Sequence, residues 1–203
     1  GTIIMRRLDG VVGASISMTS LTAPKKAKKA FQKAVKEMRK KKPNHEKALK
    51  ELEKSVAGHP QYAAAWNMMG VVQLQMQNAP AAREAFEKAV KADEKYLSPY
   101  LPLIKMGLRE QRWDEVSRRT GQLLRLNPHV SEAYFYNAIA NFNADRLEEA
   151  EKAIADLRLR DDADKLPHSH HLLGMIFVKR GQFGQAATAF RAYMAVEPDS
   201  QLA

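Results

Sequence analysis

The chain has 203 residues, is 45% hydrophobic and 28% charged, and contains no cysteine, so its core is held by packing, without disulfides, thiolate metal sites or thiol catalysis. No apolar run approaches the roughly 20 residues that a spanning helix needs, and no secretory leader is visible. Nearly all of the formal charge of +10 sits in one place: residues 25–42 carry ten Lys or Arg against Glu37 alone, Arg6 and Arg7 against Asp9 supply the rest, and the residues beyond 42 balance to zero.

In chain order, the first predicted element is a β-hairpin over residues 1–22. Ile3, Ile4, Met5 and Leu8 precede Asp9-Gly10, and Val11, Val12, Ala14, Ile16 and Met18 follow. Asp-Gly between apolar runs favours a type I′ turn. Ser15, Ser17 and Thr19 alternate with Ala14, Ile16 and Met18 as in a strand with one buried face. A lone hairpin is marginal in water. The chain opens Gly1-Thr2-Ile3-Ile4 and not on methionine, so it reads as a piece of a longer protein, and the hairpin is expected to pack on the helices that follow, to join another copy, or to be the tail of an upstream β domain.

Residues 23–203 read as helices at a regular period. Units of 34 residues start at 29, 63, 97, 131 and 167, the fourth being two residues longer, with Asp161, Asp162 and Asp164 at the slack. Trp66, Met69, Gly70, Ala82, Phe86 and Ala89 fall at positions 4, 7, 8, 20, 24 and 27 of the second unit, and Leu173, Gly174, Phe177, Ala186, Phe190, Tyr193 and Pro198 at matching positions of the fifth. Apolar spacings of three and four predict two helices per unit. His59-Pro60, Asn127-Pro128 and Glu197-Pro198 are stop signals, and Ser98-Pro99 and Ser131-Glu132 read as N-caps. Small residues at positions 8 and 20 (Gly70 with Ala82, Gly174 with Ala186, Ala138 with Ala150) predict close helix packing. Ile104 and Val116 replace that pair in the third unit and predict wider packing there, and Lys36 breaks the pattern in the first.

This period and small/large pattern resemble the tetratricopeptide repeat (TPR) family. The resemblance covers residues 29–200 and implies an all-α, right-handed superhelix of five helix-turn-helix repeats, ten helices, following the hairpin. A looser resemblance rests on the run from Ile3 through Pro24-Lys25-Lys26-Ala27-Lys28-Lys29-Ala30, with Ala133-Tyr134-Phe135-Tyr136-Asn137-Ala138 and His171-Leu172-Leu173-Gly174. It is to exported bacterial TPR proteins carrying a carboxypeptidase-regulatory-like β domain ahead of the repeats, and it favours an exported or periplasmic location over a cytoplasmic one.

The TPR resemblance implies a protein-binding scaffold whose concave face is lined by the first helix of each unit. Carried over, that face holds Asn67, Val71, Leu74, Leu101, Lys105, Leu108, Phe135, Ile139, Phe142, His171, Met175 and Val178, with Met68, Tyr136 and Leu172 beside them. It is apolar and aromatic, as an interaction surface is, and either a partner segment or the protein's own hairpin covers it. The carboxylate clamp of some TPR domains is missing, since the corresponding positions hold Lys33, Glu37, Met68, Ser98 and Pro102.

Lys25, Lys26, Lys28, Lys29, Lys33, Lys36, Arg39, Lys40, Lys41 and Lys42 form a basic helix. It reads either as a solvated cap on the first repeat or as a contact for an anionic polymer or membrane surface. A spacer role for the whole array is the remaining alternative. His168, Ser169, His170 and His171 bring no second ligand cluster, so no metal is expected. No phosphate loop, nucleotide fingerprint or nucleophile-and-base motif occurs, so the sequence points away from an enzyme or a cofactor. Apolar Phe183, Ala187, Phe190, Tyr193, Met194 and Val196 on the last helix predict a self-contact, such as a two-fold dimer.

Overall fold

The computed structural model describes residues 17–160 and 166–197, and all regular structure among them is helical. The residues up to Pro99 and those from Tyr100 form two compact units. The first holds α1 (Thr19–Thr22), α2 (Lys25–Met38), α3 (His45–Gly58), α4 (Ala63–Gln75) and α5 (Ala79–Ala92). In it α2 pairs with α3 and α4 with α5, α3 packs on α4, and α1 rests on α4. The second unit holds α6 (Tyr100–Arg109), α7 (Trp113–Leu126), α8 (Ser131–Asn143), α9 (Leu147–Arg158), α10 (His168–Lys179) and α11 (Phe183–Val196). Successive helices pack there, and α8 also meets α6 and α10, so the first helices of three hairpins share a layer.

The second helix of each hairpin starts at residue 45, 79, 113, 147 or 183. Each is position 17 of its unit, so the sequence period is the structural period. Four of the five inter-helix turns are one motif. Gln77, Gln111, Asp145 and Gly181, all at position 15, have φ between 56° and 71°. The next residue's amide then reaches five residues back: Asn78 to Gln73, Arg112 to Gly107, Arg146 to Asn141 and Gln182 to Phe177, at 2.8–2.9 Å. This is the Schellman closure, which satisfies a helix-end carbonyl once one residue turns left-handed.

The first hairpin departs, and Pro43 explains why. Pro43 occupies position 15, and its ring fixes φ near −65°, so the left-handed turn is closed to it. Instead α2 ends at Met38 and residues 39–44 make a longer connection. Asn44 then caps α3, its Oδ1 accepting from the Lys47 amide at 2.8 Å. The helix also begins at Lys25, ahead of the unit start expected at 29.

Close helix approach is present, through different partners from those expected. A Cβ on Gly70 would sit 2.6 Å from the Phe86 ring, and one on Gly174 would sit 2.5 Å from the Phe190 ring. The glycines therefore make room for the large residue at position 24, not mainly for the small one at 20. The wider packing expected in the third hairpin is corrected: Gly107, one turn past Ile104, lies against Val116, with only 2.8 Å for a Cβ. Ser131 is likewise no cap. It is the first helical residue of α8, it is buried, and Val130 holds the cap position without a side-chain bond.

The predicted hairpin falls outside the described residues up to residue 16. Its end, residues 17–22, is not strand but a turn and α1. Ser17 Oγ donates to Asp93 Oδ2 at 2.7 Å, and the Met18 amide donates to the same oxygen at 3.0 Å. The Ala63 amide donates to Thr19 Oγ1 at 3.1 Å. These bonds pin the segment where α4 begins and α5 ends, which diverts it from a β ladder.

Candidate functional site

The layer formed by α6, α8 and α10 carries most of the residues assigned to a partner face. On α8, Phe135, Ile139 and Phe142 are half-buried and pack against the core of this unit, as does Met175 on α10. Tyr136 is also half-buried, and its ring centroid lies 6.3 Å from that of Phe135. Leu101 and Leu108 on α6 are half-buried too, and Val178 is exposed. Each side chain is held from behind while part of it faces outward, as expected for rigid anchors with little ordering entropy left to lose on binding.

Charge brackets this aromatic stripe. Lys105 Nζ on α6 lies 3.0 Å from Glu132 Oε1 and 5.8 Å from the Tyr136 ring centre. The Tyr136 hydroxyl donates to the same carboxylate. Burial by itself would raise the Glu132 carboxyl, but the Tyr136 and Lys105 hydrogen bonds outweigh it and hold it below the usual carboxylate range. Burial, together with the adjoining carboxylate, pushes the Tyr136 phenol far above its ordinary value, so it stays a donor. At the other end, Lys179 Nζ on α10 sits 4.7 Å from the Phe142 ring centre and 3.0 Å from Asp145, within range of a cation–π attraction. Glu132, Lys179 and Asp145 were not singled out from the sequence. Glu132 holds position 2 of its unit, which the repeat resemblance assigns to the inner face, and that was the available signal; Lys179 and Asp145 gave none, because they are 34 residues apart, on successive hairpins, and meet only in the fold.

Other assigned residues are placed differently. Leu172 is buried, so it offers no surface. His171 turns onto α11, with ring centroids 5.5 Å from Phe190 and 5.3 Å from Tyr193. His168 stacks on Tyr193 at 5.6 Å, and no group of three metal-ligating side chains occurs among the described residues. In the first unit, Met68 packs on the core of α2, α3 and α4, while Asn67 hydrogen-bonds Tyr96. Val71 and Leu74 are half-buried. None of these four is aromatic, unlike three of the four on α8.

The basic residues lie along α2 and the connection after it. All ten are exposed except Lys28, which is half-buried. Lys25, Lys29, Lys33 and Lys36 are spaced by four, four and three, which puts them on one helix face. Lys33, Lys36, Lys40 and Lys47 line a hollow of about 380 Å³ together with Glu37 and Glu51. Buried Glu37 is clamped by Lys40 at 2.7 Å and Lys47 at 3.6 Å. Near the chain end, a hollow of about 490 Å³ is lined by Arg158, His170, Leu173, Phe177, Thr188 and Ala192. No helix among the described residues is long and apolar enough to cross a membrane.

Residues 42–96, spanning α3, α4 and α5, match the tetratricopeptide repeat family. No curated protein matches the chain. Solved structures do. MamA from Desulfovibrio magneticus RS-1 is 18% identical with a TM-score of 0.70, covering 88% of this chain and 99% of that one. YrrB, described as a TPR protein with an unusual peptide-binding site, is 19% identical with a TM-score of 0.69, covering 77% and 79%. PilW, a type IV pilus biogenesis factor, is 18% identical with a TM-score of 0.61, covering 88% and 81%. At these identities the likeness is one of fold.

Proposed function

We propose a function for this chain from one premise: it is a tetratricopeptide-repeat protein, and such stacked hairpins form protein-binding modules. In this reading the second unit is a non-enzymatic scaffold that binds a segment of another protein. The observation carrying it is the stripe of Phe135, Tyr136, Ile139 and Phe142 on α8, half-buried and bracketed by Lys105 and Lys179. An apolar side chain of the partner sits on the rings. Acidic or carbonyl groups flanking that anchor meet the two ammonium groups. YrrB, a fold neighbour with a peptide-binding site, supports the general form of this reading.

Selection from a displayed library of random peptides tests it. The expected result is enrichment of peptides with one or two apolar anchors beside Asp or Glu. Phe135→Ala and Phe142→Ala should each weaken the selected peptides by about 1–2 kcal/mol with little change in thermal stability. Failure to enrich any peptide, or enriched peptides indifferent to both substitutions, would refute the site. A self-contact through α11 is a separate part of the proposal. It rests on Phe183, Ala187, Phe190 and Met194 sharing one face of that helix, with Phe183 69% and Met194 45% exposed.

A further inference from the structure

The α8 stripe leaves the basic helix unexplained, and a second feature lies beside that helix. Met18 and Leu21, at α1, are 65% and 64% exposed. They are two of the few large apolar side chains this exposed among the described residues, and they precede Lys25 by a few residues. Their position is fixed. Lys28 Nζ donates to the Leu21 carbonyl at 2.9 Å, and Ser17, Met18 and Thr19 are bonded to Asp93 and Ala63. The apolar pair therefore sits at one end of a rigid row of ammonium groups that runs about 16 Å from Lys25 to Lys36.

Most of that charge has no internal use. Lys33 meets Glu51 at 3.8 Å, and Lys40 is taken by Glu37. Lys25, Lys26, Lys29, Lys36, Arg39, Lys41 and Lys42 have no carboxylate partner among the described residues. Seven uncompensated cations on one helix and its following loop repel one another, and a solvated cap would need far fewer.

We infer that α1 and α2 together form a docking surface for an anionic lipid bilayer, with Met18 and Leu21 entering the headgroup region and the α2 lysines lying on acidic phosphates. Stable peripheral attachment takes two signals, an apolar insertion and a polybasic patch, and the two are adjacent here. Each Lys or Arg close to an acidic leaflet strengthens binding by about fivefold. Two features separate this partner from a nucleic acid. The row has no exposed aromatic ring for base stacking, since Phe31 is turned onto Tyr62 at 5.2 Å between centroids. Glu37 and Glu51 are among the residues lining the hollow beside the row, and their carboxylates would repel a polyphosphate strand laid into it, whereas headgroups need meet only the lysine tips.

Vesicle co-sedimentation tests the assignment, with phosphatidylcholine alone against phosphatidylcholine mixed with phosphatidylglycerol. The full chain should sediment with the acidic vesicles only, and high salt, which shortens the screening length to about 3 Å at 1 M, should release it. Lys25→Glu with Lys29→Glu should lower binding by more than tenfold; the milder Lys25→Gln with Lys29→Gln serves if the reversed charges disturb the helix by circular dichroism. Met18→Ser with Leu21→Ser should lower binding several-fold and leave the salt dependence in place. The inference fails if acidic vesicles do not bind or neutral vesicles bind equally. It also fails if the Met18 and Leu21 changes have no effect while duplex DNA or polyglutamate displaces the vesicles, which would make the helix a general polyanion patch. The α8 peptide test involves other residues, so the two results are read separately.

Discussion

Gly70 and Gly174 meet the same obstacle in different surroundings, which makes them a matched pair. Phe86, facing Gly70, is fully buried, while Phe190, facing Gly174, is only half-buried. The Phe86 ring has nowhere to go, so Gly70→Ala should destabilise by about 1–3 kcal/mol, the usual cost of overpacking. Gly174→Ala should cost less, because the Phe190 ring can shift toward solvent. Urea unfolding of the two variants checks the ranking, and the reverse order would show that the rings are not what the glycines accommodate. The sequence suggested small–small contacts at these sites because helix spacing says which residues share a face and not which ring fills the gap. Glu132 offers a second test at this scale. Its carboxyl is held below the ordinary value of 4.5, so its contribution is present above its unfolded-state pKa and is lost as pH falls through the lowered folded value. Glu132→Gln should therefore flatten the loss of stability below about pH 4.5. Equal acid sensitivity in both proteins would mean the Lys105 and Tyr136 bonds do not stabilise the ionised form.

Individual elements were legible wherever the signal was a period. All five second helices begin at position 17, and the hairpin pairing follows from that spacing alone. The turns were less legible, because Gln77, Gln111 and Asp145 give little hint of a left-handed conformation that glycine takes more readily. Pro43 was visible, but its consequence needed the turn geometry of the other four hairpins for comparison. The motif itself yields a prediction. A non-glycine residue in the left-handed region costs about 1–2 kcal/mol, partly offset by the extra freedom glycine has when unfolded. Gln111→Gly should therefore stabilise the protein by about 0.5–1 kcal/mol, and Gly181→Ala should destabilise it by a similar amount. Thermal unfolding of the pair decides the matter. A destabilised Gln111→Gly variant would mean that the glutamine side chain supplies an interaction worth more than the backbone strain.

For the molecule as a whole, the sequence disclosed an array of repeats, but left open which of its surfaces are already satisfied. Phe135, Tyr136 and Phe142 followed from the repeat positions, while the Lys105–Glu132 bracket depends on neighbouring hairpins and no single-unit pattern encodes it. The last helix raises the same question for assembly. Phe183, Ala187, Phe190 and Met194 recur at spacings of four, three and four on α11, a seam that two copies related by a two-fold axis could bury against each other. One 14-residue helix offers less than the roughly 800 Å² per partner of a standard interface, so the contact should be weak and visible only at high concentration. Light scattering should show a mass rising from monomer toward dimer across the micromolar range. Phe183→Glu with Met194→Glu should hold the protein at the monomer mass, since two carboxylates per chain would face each other across the seam. The variant also separates this contact from the lipid surface, because neither residue lies on α1 or α2. A wild-type mass that stays monomeric throughout would leave α11 as a face that solvent covers and would remove self-association from the reading.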